Sequence, residues 1–170
     1  MYFTTLQSFS KMLQNMSGWL DKLETYAAER KFDPANLFSA RLSPDQFPLL
    51  KQIQISCDTA KFMAARLSGQ EAPTFADTET TLAELKTRIA ETVAYLQGFS
   101  AADFAGADER QIILPFLPDL YMIGKDYFEQ FATPNFYFHL NMVYALLRHN
   151  GVPLGKQDYL GQVALKPLKA

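Results

Sequence analysis

The chain has 170 residues, 48% of them hydrophobic, which suits one packed domain spanning residues 1–170. Sixteen Lys and Arg against eighteen Asp and Glu give a formal charge of -2 with no basic cluster, which excludes the electrostatic footprint of a nucleic-acid binder. No run of eighteen apolar residues and no basic leader occur, so the reading is no membrane, no export and a cytoplasmic protein.

In chain order, Phe3, Leu6, Phe9, Leu13, Met16, Leu20, Leu23 and Ala27 recur at spacings of three and four, the mark of one long apolar helix stripe. Gly18 is its only break in propensity. After a turn at Asp33-Pro34, Ser43-Pro44-Asp45-Gln46 has the form of a capping box and predicts the start of a second helix, which Gly69 ends. Its body carries Leu49, Leu50, Ile53, Cys57, Ala60, Ala64 and Leu67 on one side. Cys57 is the only cysteine, so there is no disulfide and no cysteine-based zinc cluster, and it reads as a buried, inert thiol.

A capping box at Thr81 to Glu84 lies inside a third helical run from about Thr78 to Gln97, with Leu82, Leu85, Ile89, Val93 and Leu96 as its seam and Gly98 at its end. Between Gly98 and Gly124 the helical period disappears. Two short extended pieces around Pro118-Asp119 predict a small β-hairpin there. The last helix, from about Lys125 to Asn150, has to bend or restart at Thr133-Pro134, and Gly151 stops it. The tail beyond has no room for another full helix and is expected to lie against the bundle with its final residues frayed. Four amphipathic helices with one short hairpin before the last make an all-α four-helix bundle.

The chemistry-bearing residues are few. Residues 151–157 do not make a phosphate loop: the glycines are one residue too close, Gln157 replaces the required Ser or Thr, and the segment follows a helix. His139 and His149 are ten residues apart, which puts them about 80° apart around a helix axis and about 15 Å along it, so they do not share an ion. His149, beside Arg148 in the last turn, reads as a cation-compatible helix end. His139 lies on the margin of the stripe made by Phe136, Leu140, Val143 and Leu147, one turn after Asn135, and points into the bundle.

The strings PNFYFHLNMVYALLRHNGVPLGKQDYLG, LSPDQFPLLKQIQISCDTAKFMAARLSG and DTETTLAELKTRIAETVAYL resemble an uncharacterised bacterial family of DinB/YfiT-like four-helix bundles over nearly the whole chain. In that wider group three histidines hold a divalent metal, one from the second helix and two from an H-x-x-x-H on the fourth, and some members are thiol-dependent transferases or isomerases. The resemblance puts His139 on the last of these histidines and Asn135 on the first. The second helix has no histidine, and Gln52 or Gln54 stands in its place, with Asp58 one turn on. Neutral amides are poor ligands for borderline divalent ions. The expectation is therefore a polar crevice of Gln54, Asp58, Asn135 and His139 that takes a small molecule or a partner, with no resident cofactor and at most a weakly held divalent ion at His139. The alternative is a metal- or thiol-dependent enzyme using His139 and Asp58 as an acid/base pair. Aromatic residues make up 14% of the chain, a load that predicts a contact patch and a homodimer.

Overall fold

The computed structural model describes residues 1–168. Helix α1 (Tyr2–Arg30) buries the expected stripe, except that Tyr2 takes the innermost first position and Phe3 is half-buried. Lys31, in the left-handed conformation, closes it, and the Phe32 amide returns to the Ala27 carbonyl. A 3-10 turn (Pro34–Leu37) follows, capped by the Asp33 carboxylate, which accepts from the Ala35 amide at 2.9 Å.

Helix α2 (Leu49–Ser68) begins later than the Ser43 box predicts. Ser43 donates to the Asp45 carboxylate at 2.6 Å and the Gln46 amide bonds the Ser43 carbonyl, so these residues form a turn. The physical reason is Pro48, which disfavours helical backbone at Phe47 and so prevents a helix started at Pro44 from running on. Gly69, with a φ of 77°, ends α2 as expected. In α3 (Leu82–Gln97) the Thr81 capping box forms in both directions, with the Glu84 amide donating to the Thr81 hydroxyl and the Thr81 amide to the Glu84 carboxylate.

Strands β1 (Gln111–Leu114) and β2 (Leu117–Ile123) pair antiparallel, Gln111 opposite Ile123 and Leu114 opposite Leu117. The reversal is at Pro115-Phe116 instead of Pro118-Asp119. Pro118 sits inside β2 between Leu117 and Tyr121, where the register against β1 shifts and no cross-strand partner requires its missing donor. At Gly124 a Cβ would lie 1.9 Å from the Ala107 carbonyl oxygen, so only glycine lets the chain pass from the hairpin into the last helix.

That last rod runs through a single turn, α4 (Gly124–Asp126), a π segment (Tyr127–Ala132) and α5 (Thr133–His149) without leaving helical backbone. The predicted disruption at Pro134 is taken up by the wide turns just before it, which make room for the proline ring against the preceding carbonyls. Helices α1, α3, α2 and α5 pack in a ring in that order. The core between them is continuous, with Phe9 stacked on Phe136 at 3.8 Å. The tail adds one short helix, α6 (Lys156–Leu160), held to α1 by three ties. The Trp19 indole donates to the Asp158 carbonyl at 2.9 Å, Asn15 donates to the Tyr159 carbonyl at 2.9 Å, and Lys22 pairs with the Asp158 carboxylate at 2.7 Å. The frayed end expected of the final residues falls partly on 169–170, outside the described residues. Among the described residues no helix is long and apolar enough to cross a membrane.

Candidate functional site

Polar side chains of α2 divide between its two neighbours. Residues two apart on a helix point about 200° apart around the axis. Gln52 therefore faces α5 while Gln54 faces α3. Toward α5, Gln52 Oε1 lies 2.7 Å from His139 Nδ1, and Asn135 Nδ2 donates to Thr59 Oγ1 at 2.9 Å. Toward α3, Gln54 Nε2 donates to Glu79 at 2.8 Å, and Asp58 pairs with both Arg88 and Lys61 at 2.9 Å. The crevice expected of Gln54, Asp58, Asn135 and His139 is thus corrected: Asn135 and His139 share one side of α2, and Gln54 and Asp58 belong to the other. The residue that meets His139 is Gln52.

The His139 side has a defined proton arrangement. Gln52 Nε2 donates to the Phe47 carbonyl at 2.9 Å, an acceptor only, so the Gln52 oxygen is the atom turned to His139. Nδ1 must then carry the ring hydrogen, and Nε2 keeps its lone pair. Burial drives the His139 pKa down to about 4, so the ring is neutral at ordinary pH. Among the described residues no protein group bonds His139 Nε2 or donates to the Asn135 side-chain oxygen, which leaves two acceptors one helical turn apart on α5. The exposed Phe138 ring meets His139 edge to face at 5.1 Å, and Gln46 reaches Met142 Sδ, tying the segment before α2 to α5. His149 is exposed in the last turn.

The opposite side is a charge network that the sequence reading missed. Arg88 is 2% exposed and binds Asp77 at 2.6 Å, Glu79 at 2.8 Å and Asp58 at 2.9 Å. Burial opposes its charge, but Glu79, Asp58 and Asp77 more than restore it. Burial likewise opposes ionisation of Asp77 and Glu79, and the hydrogen bonds from Lys51 and Arg88 to the first and from Arg88 and Gln54 to the second hold both carboxyls below their ordinary values. The sequence did carry a signal: Leu85, Arg88, Thr92 and Leu96 form a stripe of their own, and a charge on an inward stripe needs partners. Cys57 lies fully buried nearby, its thiol pushed up to about 12 by burial, as an inert thiol would be.

The chain matches the family model described as a domain of unknown function, DUF1993, over residues 1–160. The chain belongs to that family. A crystal structure described as a DinB family member protein from Shewanella denitrificans is similar to it at 48% identity and a TM-score of 0.93, covering 98% of this chain and 95% of that one. Among curated proteins there is no match. This DUF1993 chain therefore has the DinB-like bundle, but its residues do not fit the metal that the wider group's histidines hold. Among the described residues no three His, Cys, Asp or Glu side chains come together as a ligand set, and the Asn135 oxygen one turn from His139 is a neutral amide ligand that holds borderline divalent ions poorly. Nor do His139 and Asp58 form an acid/base pair, since Asp58 is held by Arg88 and Lys61 on the far side of α2.

Proposed function

We propose that this DUF1993 protein is a binding member of the DinB-like group, taking a small molecule at the α2–α5 face through His139 Nε2 and the Asn135 oxygen in place of a metal. The observation that carries this reading is the relay from the Phe47 carbonyl through Gln52 to His139 Nδ1, which fixes a neutral ring with one free acceptor. Two acceptors with an aromatic rim at Phe138 match a ligand bearing two hydrogen-bond donors, such as an amide or amino alcohol. Small amides and amino alcohols screened by ligand-observed NMR are expected to give hits about fivefold to tenfold weaker in His139→Gln, the loss of one hydrogen bond. Protein dialysed after purification is expected to keep no stoichiometric zinc, nickel or iron. Stoichiometric metal that disappears in His139→Gln would overturn the reading in favour of an enzyme.

The same reading includes a homodimer. Ile113, Phe116, Leu117, Leu120 and Tyr121 on the hairpin are between 45% and 65% exposed. Together they present roughly 500 Å² of apolar surface, against the roughly 800 Å² that each partner gives to a standard interface. Among the described residues β2 pairs only with β1, so its free edge offers a second copy an antiparallel strand as well as the apolar side chains. A cytoplasmic setting is supported by the single, unpaired thiol of Cys57.

A further inference from the structure

The segment between α2 and α3 crosses the outer face of the Arg88 network as a thin cover. None of residues 69–81 is buried, yet Arg88 and Lys61 beneath are 2% and 3% exposed. Among the described residues, 71–79 make no backbone-to-backbone hydrogen bond. Side chains hold the segment instead: Asp77 on Lys51 at 2.7 Å and on Arg88, Glu79 on Arg88 and Gln54, and the Phe75 ring under the cations of Lys61 at 4.2 Å and Arg88 at 4.8 Å. Asp77 adopts a left-handed φ of 54° to make its contacts. An open groove of about 360 Å³ runs alongside, lined by Thr78, Glu79, Glu84, Thr87, Arg88 and Glu91.

With the segment in place, Arg88, Lys61 and Lys51 are balanced by Asp58, Asp77 and Glu79. With it lifted, the three cations face Asp58 alone. A buried arginine that loses its carboxylates is costly to leave bare, so the uncovered site demands another anion. We propose that residues 71–79 form a displaceable strap whose Asp77 and Glu79 carboxylates are built-in ligands on an oxyanion site of Arg88, Lys61 and Lys51, which opens to a small-molecule carboxylate or phosphate. Arg88 Nη1 holds both strap carboxylates while Nη2 stays on Asp58, so lifting the strap frees Nη1, together with Lys51, for an incoming oxyanion. Glu84 and Glu91 on the groove repel an extended polyanion and restrict the ligand to a compact one. This site lies on the other side of α2 from His139 and stands independently of the reading above.

The test uses the full chain carrying Asp77→Asn and Glu79→Gln, which keeps the strap's shape and removes its charge. Its melting temperature is measured against inorganic phosphate and against citrate, with sodium chloride matched for ionic strength. The expected result is a saturable rise of roughly 5 to 10 °C at a hundredfold excess over Kd with one of the two oxyanions, well above the wild-type response. The arm that responds says whether phosphate or carboxylate is preferred. Equal shifts in chloride, or equal responses of wild type and variant, overturn the proposal. If the variant does not fold, chymotrypsin cleavage after Phe75 in the wild type decides. At constant ionic strength, an oxyanion that lifts the strap raises the cleavage rate several-fold, and an unchanged rate overturns the proposal.

Discussion

His139 stays neutral well below the pH at which a free imidazole takes its proton, because burial lowers its pKa from 6.5 to about 4. In that window the unfolded chain binds a proton that the native chain refuses, so stability falls as pH drops from 6.5 to 4 and this contribution levels off below. Melting temperatures over that range are expected to decline in the wild type and to be flatter in His139→Gln. Asp77 and Glu79 act lower down. Their native values lie below the ordinary carboxyl range, so the stability they supply starts to be lost as pH falls below the ordinary carboxyl values and is gone below the depressed ones, a loss that continues at more acid pH than that of His139. His139 was legible as an inward-pointing histidine because it sits at the edge of an apolar stripe. Its partner was not, because choosing Gln52 over Gln54 requires knowing which flank of α2 meets α5, and both flanks are buried.

Helix α1 was readable because its apolar period is unbroken over its whole length, and α3 because its period agrees with a local capping box at Thr81. The start of α2 was misread where two local signals compete, the Ser43 box and the constraint of Pro48, and the proline prevails. The hairpin turn was misplaced because Pro115 and Pro118 both carry turn propensity, and only cross-strand register separates them. The strap escaped notice because its anchors are long-range: Asp77 and Glu79 find Arg88 and Lys51 only once α2 and α3 are packed. Gly18 gives an element-scale prediction. It is exposed in the middle of α1, and a Cβ there would meet nothing within 4 Å. Gly18→Ala is expected to stabilise the protein by about 1 kcal/mol, read as a higher midpoint in urea with an unchanged slope.

For the molecule as a whole, the proposed dimer sets an expected mass. Light scattering at micromolar concentration should give twice the 19.2 kDa of one chain, and Phe116→Asp with Leu120→Asp should return it to the single-chain value. A mass near 19.2 kDa in the unmodified protein would rule the dimer out. The fold was legible because a bundle is set by stripes that each helix carries alone. Assembly is set by residues such as Ile113 and Leu120, whose exposure no periodicity discloses. The tail has a different kind of consequence. Trp19 is the only tryptophan in the chain, and its indole both donates to the Asp158 carbonyl and stacks on the Tyr159 ring at 5.7 Å. Intrinsic emission excited at the red edge of protein absorption therefore comes from the seam between α1 and the tail, so a fluorescence melt times the peeling of α6, and circular dichroism times the loss of the four long helices.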